Sequence, residues 1–363
     1  MNILIFSSYM DAWNSVRPEA EMFIEMVKLG HNVTVVTQGK AEYVPRFIDN
    51  GIKIIDCYPS KKICCDTIKT LRAELKSTQY DIVYAMNSKT IPNAAFACIG
   101  FKKTKMVTYR GTVGGLYRHD PSAYLTHLHP RVDGISCVAQ AVTDDVKKHV
   151  WGNKDKVTTI YKGHDLTWYQ TSPLDRDQLN IPKDAVIVTC IANARASKGV
   201  HILLASAKML SHIENLHIVL VGRDMDTQEN LALAQKSGMK ERIHFLGYRT
   251  DVPEILASSD IQIQPSVSGE GLPKTIIEAM AMAIPSIVTT TGGSKELIVD
   301  GESGFVVPVN DTQAIAEKVQ RLCDNKSLRL SMGKRAQEQL VTHFSVQQTA
   351  LHHIEFFRSL MEQ

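Results

Sequence analysis

The stretch Asp260–Asp300, DIQIQPSVSGEGLPKTIIEAMAMAIPSIVTTTGGSKELIVD, decides the fold of this chain. Isoleucine and glutamine alternate through Ile261–Gln264, which predicts a half-buried β-strand that Pro265 ends. After a glycine-containing loop, Pro273 suits the first turn of a helix whose apolar side chains recur at helical spacing through Lys274–Ala283. A strand, a loop and a helix in this order form the repeating unit of a parallel α/β sheet.

The same alternation of short β-rich runs and longer helical segments continues on both sides of this stretch. In the first half, the pattern predicts strands at Asn2–Phe6, Val33–Thr37, Ile52–Asp56, Ile82–Ala85, Met106–Tyr109 and Gly134–Val138. In the second half, it predicts strands at Ala185–Ile191, His217–Val221, Arg242–Phe245, Ile261–Gln264 and Ser286–Thr289. Helices are predicted at Pro18–Leu29, which Gly30 ends, and at Val200–Leu210, Lys274–Ala283 and Ser345–Met361.

A break at Tyr161–Asp165, followed by the loop Thr171–Pro182 with its Pro, Asp and Ser residues, separates the two halves. The length of 363 residues fits two domains. We therefore expect an α/β fold of two Rossmann-like, doubly wound domains, residues 1–165 and 166–345, that face each other across a cleft. Ligands of such sheets bind at the carboxyl ends of the strands.

The composition is that of a globular protein with nearly balanced charge. Hydrophobic residues make up 44% and charged residues 22%, which excludes a disordered chain, and a net charge of +3 argues against a nucleic-acid-binding protein. No apolar stretch reaches the roughly 18 residues that a membrane span needs. The N-terminus lacks the basic region of a signal peptide, and the seven cysteines form no Cys-x-x-Cys pair. We expect a cytoplasmic protein with reduced thiols, of which Cys98, Cys137 and Cys190 are buried.

The two halves differ in charge. Residues 1–165 contain 22 Lys and Arg against 16 Asp and Glu, whereas the remainder contains 19 against 22. The basic residues of the first half include the run Lys102–Lys105 and five on one predicted helix, Lys61, Lys62, Lys69, Arg72 and Lys76. They are either a solvated face or a surface for an acidic acceptor or anionic lipid, so that peripheral contact with a membrane is one interpretation.

Two segments of the second half have the pattern of anion sites. Around residues 272–275, free backbone N–H groups and the positive end of a helix dipole predict a site for phosphate. Glu270 and Glu278 flank this site and suit sugar hydroxyls, unless they are ordinary turn and surface residues. Arg195 and Lys198, at the start of a predicted helix, are placed to reach a diphosphate, unless they form a solvated basic turn.

These residues resemble the family four retaining glycosyltransferases. The matching motifs run in order through nearly all of residues 185–345 and comprise Arg195–Gly199, His244–Gly247, Ser268–Pro273, Glu278–Ala281, Pro285, Gly292-Gly293, Glu296-Leu297, Asp300-Gly301, Gly304 and Pro308. The resemblance implies the GT-B architecture, with the nucleotide-sugar donor on the C-terminal domain. It also implies that the last helix, about residues 346–363, crosses back to the N-terminal domain.

The resemblance further implies the reaction and the roles of its residues. A sugar would pass, with retention, from a nucleotide-diphosphate sugar to a hydroxyl of a glycan or lipid-linked acceptor, without a cofactor or metal. Glu278 would hold the ribose and Glu270 the transferred sugar, while Arg195 and Lys198 would bind the diphosphate. The other residues implied at the donor site are Gly271, Leu272, Pro273, Lys274, Thr275, Gly247 and Tyr248, the last of which would meet the base through its backbone.

Three positions depart from the family pattern. Ala283 stands where the helix-to-strand turn usually has Gly, and we expect a slightly different turn there. The loop Ser7–Trp13 lacks the paired glycines typical of the family. Arg110 follows a strand where many members have His; it cannot act as a base at pH 7 but can bind a phosphate of donor or acceptor. His119, in the same loop, is a weaker acceptor-side candidate.

Other functions stay open at this point. They are a sugar-nucleotide epimerase, a glycan phosphorylase and a non-catalytic sugar-nucleotide-binding protein. A dehydrogenase is disfavoured because neither first strand is followed by Gly-x-Gly-x-x-Gly. The motif Asp224-Met225-Asp226 has a metal-binding form but is interpreted as a solvated loop, and His127 and His129 are interpreted as exposed loop histidines.

Overall fold

The computed structural model describes residues 1–11 and 16–362. The chain forms two compact units. The first contains Met1–Gly163 together with the C-terminal segment from Phe344, and the second contains His164–His343. Gly163, the last residue of Met1–Gly163, lies against the C-terminal segment. A Cβ added to it would be 2.2 Å from the Ser345 carbonyl oxygen.

The first unit is built on a seven-stranded parallel sheet in the order β3-β2-β1-β4-β5-β6-β7. Its strands are β1 Asn2–Phe6, β2 Asn32–Thr37, β3 Lys53–Asp56, β4 Ile82–Ala85, β5 Lys105–Arg110, β6 Gly134–Cys137 and β7 Val157–Thr159. Its helices are α1 Arg17–Lys28, α2 Val44–Asp49, α3 Cys65–Ser77, α4 Thr90–Ala97, α5 Gln140–His149 and, from the end of the chain, α12 Val346–Met361. The strand order reverses direction between β1 and β4, where crevices form in doubly wound sheets.

The second unit is built on a six-stranded parallel sheet in the order β10-β9-β8-β11-β12-β13. Its strands are β8 Val186–Ile191, β9 Leu216–Val221, β10 Ile243–Gly247, β11 Ile261–Gln264, β12 Ser286–Thr289 and β13 Gly304–Val307. Its helices are α6 Val200–Ala207, α7 Gln228–Lys236, α8 Val252–Ala257, α9 Lys274–Ala281, α10 Thr312–Asp324 and α11 Lys326–His343. The reversal lies between β8 and β11.

The sequence pattern places these elements because parallel strands are buried on both faces and read as apolar runs. All four residues of β4 and all six of β9 are buried. Gly30 follows α1 with φ +85°, as a residue that ends a helix does. The predicted α/β class is confirmed, and α12 packs in the first unit, where the His353 ring lies 3.2 Å from the Tyr84 hydroxyl.

Two strands were not predicted, and one was predicted with the wrong exposure. β7 and β13 are edge strands of three and four residues; β7 has a single apolar residue, and β13 begins at a glycine. β11 is fully buried rather than half-buried, because it is an interior strand of a parallel sheet, whose two faces are both covered. The glutamines of β11 are therefore interior side chains.

The turn after α9 corrects the expectation for Ala283. This residue has φ +55°, so the turn keeps the left-handed backbone that favours glycine. α9 accordingly ends at Ala281 rather than Ala283. A Cβ added to Gly333 of α11 would lie 1.8 Å from the Ala283 carbonyl oxygen, so the turn is packed closely against α11.

The basic helix of the first unit is also shorter than predicted. Cys64 is extended at the start of α3, so Lys61 and Lys62 lie in the loop before it. Arg72 is not part of a solvated charged face, because its guanidinium donates to the carbonyl oxygens of Ala97 at 3.0 Å and Ile99 at 2.8 Å. It closes the carboxyl end of α4.

Candidate functional site

A cavity of about 380 Å³ lies at the carboxyl ends of β8, β9, β10 and β11 in the second unit. Its lining residues are Ile191, Ala192, Asn193, Lys198, Val221, Gly222, Tyr248, Arg249, Val252, Gln264, Glu270, Pro273, Lys274 and Thr275. We call it the second-unit cavity. Its position next to the reversal of strand order is where ligands bind in doubly wound sheets.

Two glycines let the loops around this cavity approach one another. A Cβ added to Gly222 would lie 1.6 Å from the Ala192 carbonyl oxygen, and one added to Gly199 would lie 1.9 Å from that of Pro265. Ser197 then accepts a backbone hydrogen bond from Val267 at 2.7 Å. The loop after β8 is therefore joined to the loop after β11, which brings Lys198 next to Glu270.

Glu270 is a buried carboxylate, and one of its two oxygens already accepts three hydrogen bonds. Its Oε1 accepts hydrogen bonds from Lys198 Nζ at 2.6 Å, Ser266 Oγ at 2.5 Å and Gln264 Nε2 at 3.1 Å. Gln264 in turn accepts from Thr275 Oγ1 at 3.1 Å, which ties this network to the start of α9. In the part of the chain that the structure describes, no group donates to Glu270 Oε2. That oxygen is the open acceptor of the cavity.

Helix α9 contributes its amino terminus and a second ion pair. Pro273, Lys274 and Thr275 line the cavity, so the unpaired N–H groups of the first helical turn lie at its wall. Lys274 Nζ lies 2.9 Å from Glu278 Oε1. Glu278 is 5% exposed and lies outside the cavity lining, and its burial raises the pKa of its carboxyl group.

Arg195 does not line the second-unit cavity with Lys198. Arg195 lies in extended conformation before the 3-10 turn Ala196–Lys198, and it lines a separate depression of about 260 Å³ with His201 and Glu229. Gly271, Leu272 and Gly247 also lie outside the lining of the second-unit cavity. The predicted helix begins at Val200 as α6, and Arg195 lies before it in extended backbone at the edge of the separate depression.

Tyr248 and the residues around it form the rim of the second-unit cavity. Tyr248 is 63% exposed, and the Arg223 guanidinium lies 4.6 Å from the centre of its ring. Gly247, just before it, accepts a backbone hydrogen bond from Gly222 at 2.8 Å. Asn193 and Arg249, which the sequence analysis did not single out, complete the polar part of the lining.

The first unit has its own cavity, of about 290 Å³, at the carboxyl ends of β4 and β5. We call it the first-unit cavity. Arg110 lines it, but His119 does not, since His119 is exposed and stacks on Tyr117 with ring centres 5.3 Å apart. A neighbouring space of about 470 Å³ includes Ser7, Ser8, Met10 and Asp11 of the loop after β1; positions 12 and 13 of the predicted loop lie outside the described residues.

The interpretation of His127 as an exposed loop residue is wrong. His127 is 6% exposed, lines the first-unit cavity, and places Nδ1 3.0 Å from Thr108 Oγ1 of β5. Burial, with a smaller effect of the Arg110 charge, lowers the pKa of His127 to about 3, so its ring is neutral at pH 7. His129 is partly buried and packs edge-on against Phe96. No sequence period marks His127, because it follows a loop rather than a strand or helix.

Comparison with known families connects both units to one enzyme class. Residues 20–168 match the model described as Glycosyltransferase Family 4, and residues 171–339 match the model described as Glycosyl transferases group 1. The chain belongs to the family four glycosyltransferases. The predicted family is therefore confirmed, and glycosyltransferase activity follows from it.

Relatives of this glycosyltransferase include two curated bacterial enzymes. One is the N-acetyl-alpha-D-glucosaminyl L-malate synthase of Bacillus anthracis, which is 29% identical over 72% of this chain and 69% of the relative. The other is the UDP-Gal:alpha-D-GlcNAc-diphosphoundecaprenol alpha-1,3-galactosyltransferase of Escherichia coli, which is 26% identical over 75% of this chain and 73% of the relative.

A solved structure shares the fold of this glycosyltransferase. The crystal structure of Anabaena Alr3699/HepE in complex with UDP superposes with a TM-score of 0.76 at 20% identity, over 99% of this chain and 100% of that one. This likeness, together with the two parallel sheets, shows the two-domain GT-B fold.

The Asp224-Met225-Asp226 motif of the glycosyltransferase lies at the surface. Asp224 and Asp226 are exposed in a loop after β9, with Met225 buried between them. Within residues 1–11 and 16–362, no three His, Cys, Asp or Glu side chains come together as metal ligands. Across the same ranges, every helix is too short or too polar to cross a bilayer.

Proposed function

We propose that this glycosyltransferase moves a sugar, with retention, from a nucleotide-diphosphate sugar in the second-unit cavity to an acceptor hydroxyl. The observation that carries the proposal is Glu270, a buried carboxylate whose Oε1 is saturated by three donors and whose Oε2 accepts from none of the described residues. A carboxylate oxygen in this state is a strong acceptor for the hydroxyls of a sugar.

The diphosphate of the donor belongs next to Glu270 in the same cavity, where Lys198 lies. Lys198 uses one of its three ammonium hydrogens on Glu270, so the other two are available to phosphate oxygens. The amino terminus of α9 and the ammonium of Lys274 add positive potential at the neighbouring wall. The negative charge that develops as the diphosphate leaves is therefore stabilised without a metal in this proposal.

The nucleoside part of the donor extends toward Tyr248 and the region of Glu278. Glu278 is paired with Lys274 at 2.9 Å and lies outside the lining, so binding the ribose requires this pair to open. Arg195 likewise requires a change of side-chain direction to join Lys198 at the diphosphate. We propose UDP as the nucleotide, since the Anabaena protein of the same fold is in complex with UDP and the relative from Escherichia coli is described as using UDP-Gal.

The acceptor belongs to the first unit and to the biosynthesis of a polysaccharide or glycolipid. The relative from Escherichia coli acts on a sugar linked to diphosphoundecaprenol, which favours a lipid-linked or glycan acceptor for this chain. In a retaining transfer of this kind, an oxygen of the departing diphosphate takes the proton of the acceptor hydroxyl. No side chain of the first unit is then needed as a base, which agrees with Arg110 at this position.

A peripheral membrane contact through the first unit completes this proposal. Lys61, Lys62, Lys69 and Lys76 are exposed, and Ile63 is 43% exposed among them. Basic side chains beside an exposed apolar one bind anionic bilayers. All seven cysteines are free thiols, which fits the cytoplasm. Co-sedimentation with phosphatidylglycerol vesicles, but not with phosphatidylcholine vesicles, tests the contact; equal recovery with both would contradict it.

The donor is tested by thermal shift with UDP-, GDP- and ADP-sugars, followed by transfer assays with the donor that binds. A ligand at a hundredfold excess over its Kd stabilises the folded chain by roughly 2.7 kcal/mol, so the true donor stands out. Glu270→Gln keeps the shape of the side chain but removes its charge, and we expect it to abolish transfer. Glu302→Gln, at an exposed position, is the matched control.

The same assay separates the alternative activities. Consumption of the donor that depends on an added acceptor supports transfer. Isomerisation of the nucleotide sugar without an acceptor would show an epimerase, and glycan cleavage that depends on inorganic phosphate would show a phosphorylase. Full transfer activity in Glu270→Gln would contradict the assignment of the second-unit cavity.

A further inference from the structure

Arg110 is the last residue of β5, and two hydrogen bonds fix its side chain at the wall of the first-unit cavity. Its Nε donates to the Thr112 carbonyl oxygen at 3.1 Å, and its Nη2 donates to the Gly114 carbonyl oxygen. Among residues 1–11 and 16–362, none accepts a hydrogen bond from Arg110 Nη1. The guanidinium is therefore held in place on one side and open on the other.

The charges around Arg110 leave the first-unit cavity positive. Lys62 is a second cation on the lining. Asp120 is the one carboxylate among the lining residues, and both of its oxygens accept hydrogen bonds from Ser122 at 2.8 Å. Asp145 lies outside the lining, where it accepts from the Gly114 N–H at 2.8 Å. Burial lowers the pKa of Arg110, and the smaller effect of Asp145 raises it.

The lining also offers neutral donors. The backbone N–H groups of Thr112 and Gly115 donate to no residue in the described part of the chain, and both residues line the cavity. The neutral ring of His127 lies at the same wall. A guanidinium beside backbone N–H groups is an arrangement that binds the oxygens of an anion.

We propose that the first-unit cavity binds the acid group of the acceptor, a phosphate or a carboxylate, through Arg110. This inference rests on the proposed function, because it names the chemical class of the acceptor for that reaction. Phosphates and carboxylates both present oxygens that a guanidinium contacts through two parallel hydrogen bonds.

The neighbouring space of the first unit suits the sugar of such an acceptor. It shares Met86, Asn87 and Ser88 with the first-unit cavity, and it adds the hydroxyls of Ser7 and Ser8. Hydroxyl and amide side chains bind sugar hydroxyls, whereas the Arg110 wall binds charge. The acceptor is therefore an acidic sugar or a sugar that carries a phosphate, with its acid group toward β5.

The experiment measures binding by calorimetry to the full chain in saturating UDP, so that the donor site cannot take up the probes. The probes are glucose, glucose 1-phosphate and glucuronate. We expect each acidic probe to bind about tenfold more tightly than glucose, because charge-assisted hydrogen bonds to an anion are the strong ones. The two acidic probes distinguish a phosphate-bearing acceptor from a carboxylate-bearing one.

Arg110→Gln is expected to remove the preference for acidic probes, leaving all three Kd values within about twofold, with UDP binding unchanged. The matched control is Arg118→Gln, because Arg118 bonds to the carbonyl oxygens of His149 and Val150 and does not line the cavity. Arg110→Lys is expected to retain part of the preference. A purely structural Arg110 would alter thermal stability without changing the ratio of the Kd values.

A second variant keeps the test informative if the loop of Arg110→Gln is disturbed. Lys62→Gln makes no change to the loop after β5. It is expected to raise the Kd of each acidic probe by about two- to fivefold. Equal binding of glucose and the acidic probes by the native chain would overturn the inference. So would a loss of the preference for acidic probes in Arg118→Gln equal to that in Arg110→Gln. Failure of the proposed function shows separately, as an absence of UDP binding and of UDP-sugar consumption.

Discussion

The second-unit cavity and the first-unit cavity both lie at the carboxyl ends of parallel strands, yet they hold their charges differently. In the second, Lys198 is paired with Glu270 at 2.6 Å and Lys274 with Glu278 at 2.9 Å. In the first, Arg110 is held by backbone carbonyls and faces the cavity without a carboxylate bound to it. One site pairs its lysines with carboxylates, and the other presents a guanidinium to which no carboxylate of the described residues is hydrogen-bonded.

The largest expected effect is at Lys198. Lys198→Ala removes a donor to the leaving diphosphate and leaves the buried Glu270 without its cation, so we expect kcat to fall by a factor on the order of 10² to 10³. Lys183→Ala, at a lysine 78% exposed, should keep native activity. Initial rates with the donor identified by thermal shift provide the measurement. Native kcat in Lys198→Ala would mean that the ion pair plays no part in catalysis.

The next effect concerns the loops that assemble the second-unit cavity. Gly222→Ala puts a Cβ 1.6 Å from the Ala192 carbonyl oxygen, so the loop after β8 must move. We expect a loss of unfolding free energy of about 3 kcal/mol and weaker UDP binding. Gly51→Ala is the control, because Gly51 also has positive φ but has open space around it, and about 1 kcal/mol is expected there. Equal losses in the two variants, measured by urea unfolding, would contradict the close approach.

A pH effect distinguishes two histidines of the first unit, His127 and His119. The pKa of His127 is about 3 in the fold, below the ordinary value of 6.5, so its burial favours the neutral ring. The neutral ring contributes fully to the free energy of unfolding above pH 6.5, and this contribution is lost as the pH falls toward 3. Between pH 6.5 and 5, native and His127→Gln unfolding free energies should diverge by about 1 to 2 kcal/mol. The exposed His119→Gln should follow the native curve; if His127→Gln does too, His127 is not buried.

The smallest effect is at the turn after α9. Ala283 has φ +55°, and Ala283→Gly should stabilise the chain by about 1 kcal/mol because glycine adopts this backbone without strain. Ala281→Gly, at the last helical residue of α9, should destabilise it instead. Thermal unfolding of both variants provides the measurement, and a loss of stability in Ala283→Gly would contradict the strained turn.

The strands of both units follow from the sequence because each is a short apolar run bounded by turn residues. β1, β4, β11 and β12 begin and end where the pattern predicts. β7 and β13 do not follow: β7 is Val-Thr-Thr, with a single apolar residue, and β13 begins at a glycine. The alternating glutamines of β11 predict a half-exposed face, whereas both faces of that strand are covered in the fold.

At the candidate site, the residues of one contiguous motif could be predicted, whereas their contacts with other segments could not. Glu270, Lys274 and Thr275 stand within one strand-loop-helix segment and line one cavity. The pairing of Glu270 with Lys198 depends on a contact between loops 72 positions apart in the chain. Arg195, close to Lys198 in sequence, lines another depression, because it lies in extended backbone before the 3-10 turn that precedes α6.

The sequence by itself determined the two parallel α/β units, the family, and the anion-binding start of α9, because these depend on local periodicity and on motifs within one segment. The tertiary structure alone decided that His127 is buried and that Arg110 faces a cavity with Lys62 and Asp120. Those residues come from separate segments of the chain. The burial and charge of the first-unit cavity depend on which segments come together there, and local sequence patterns do not show this.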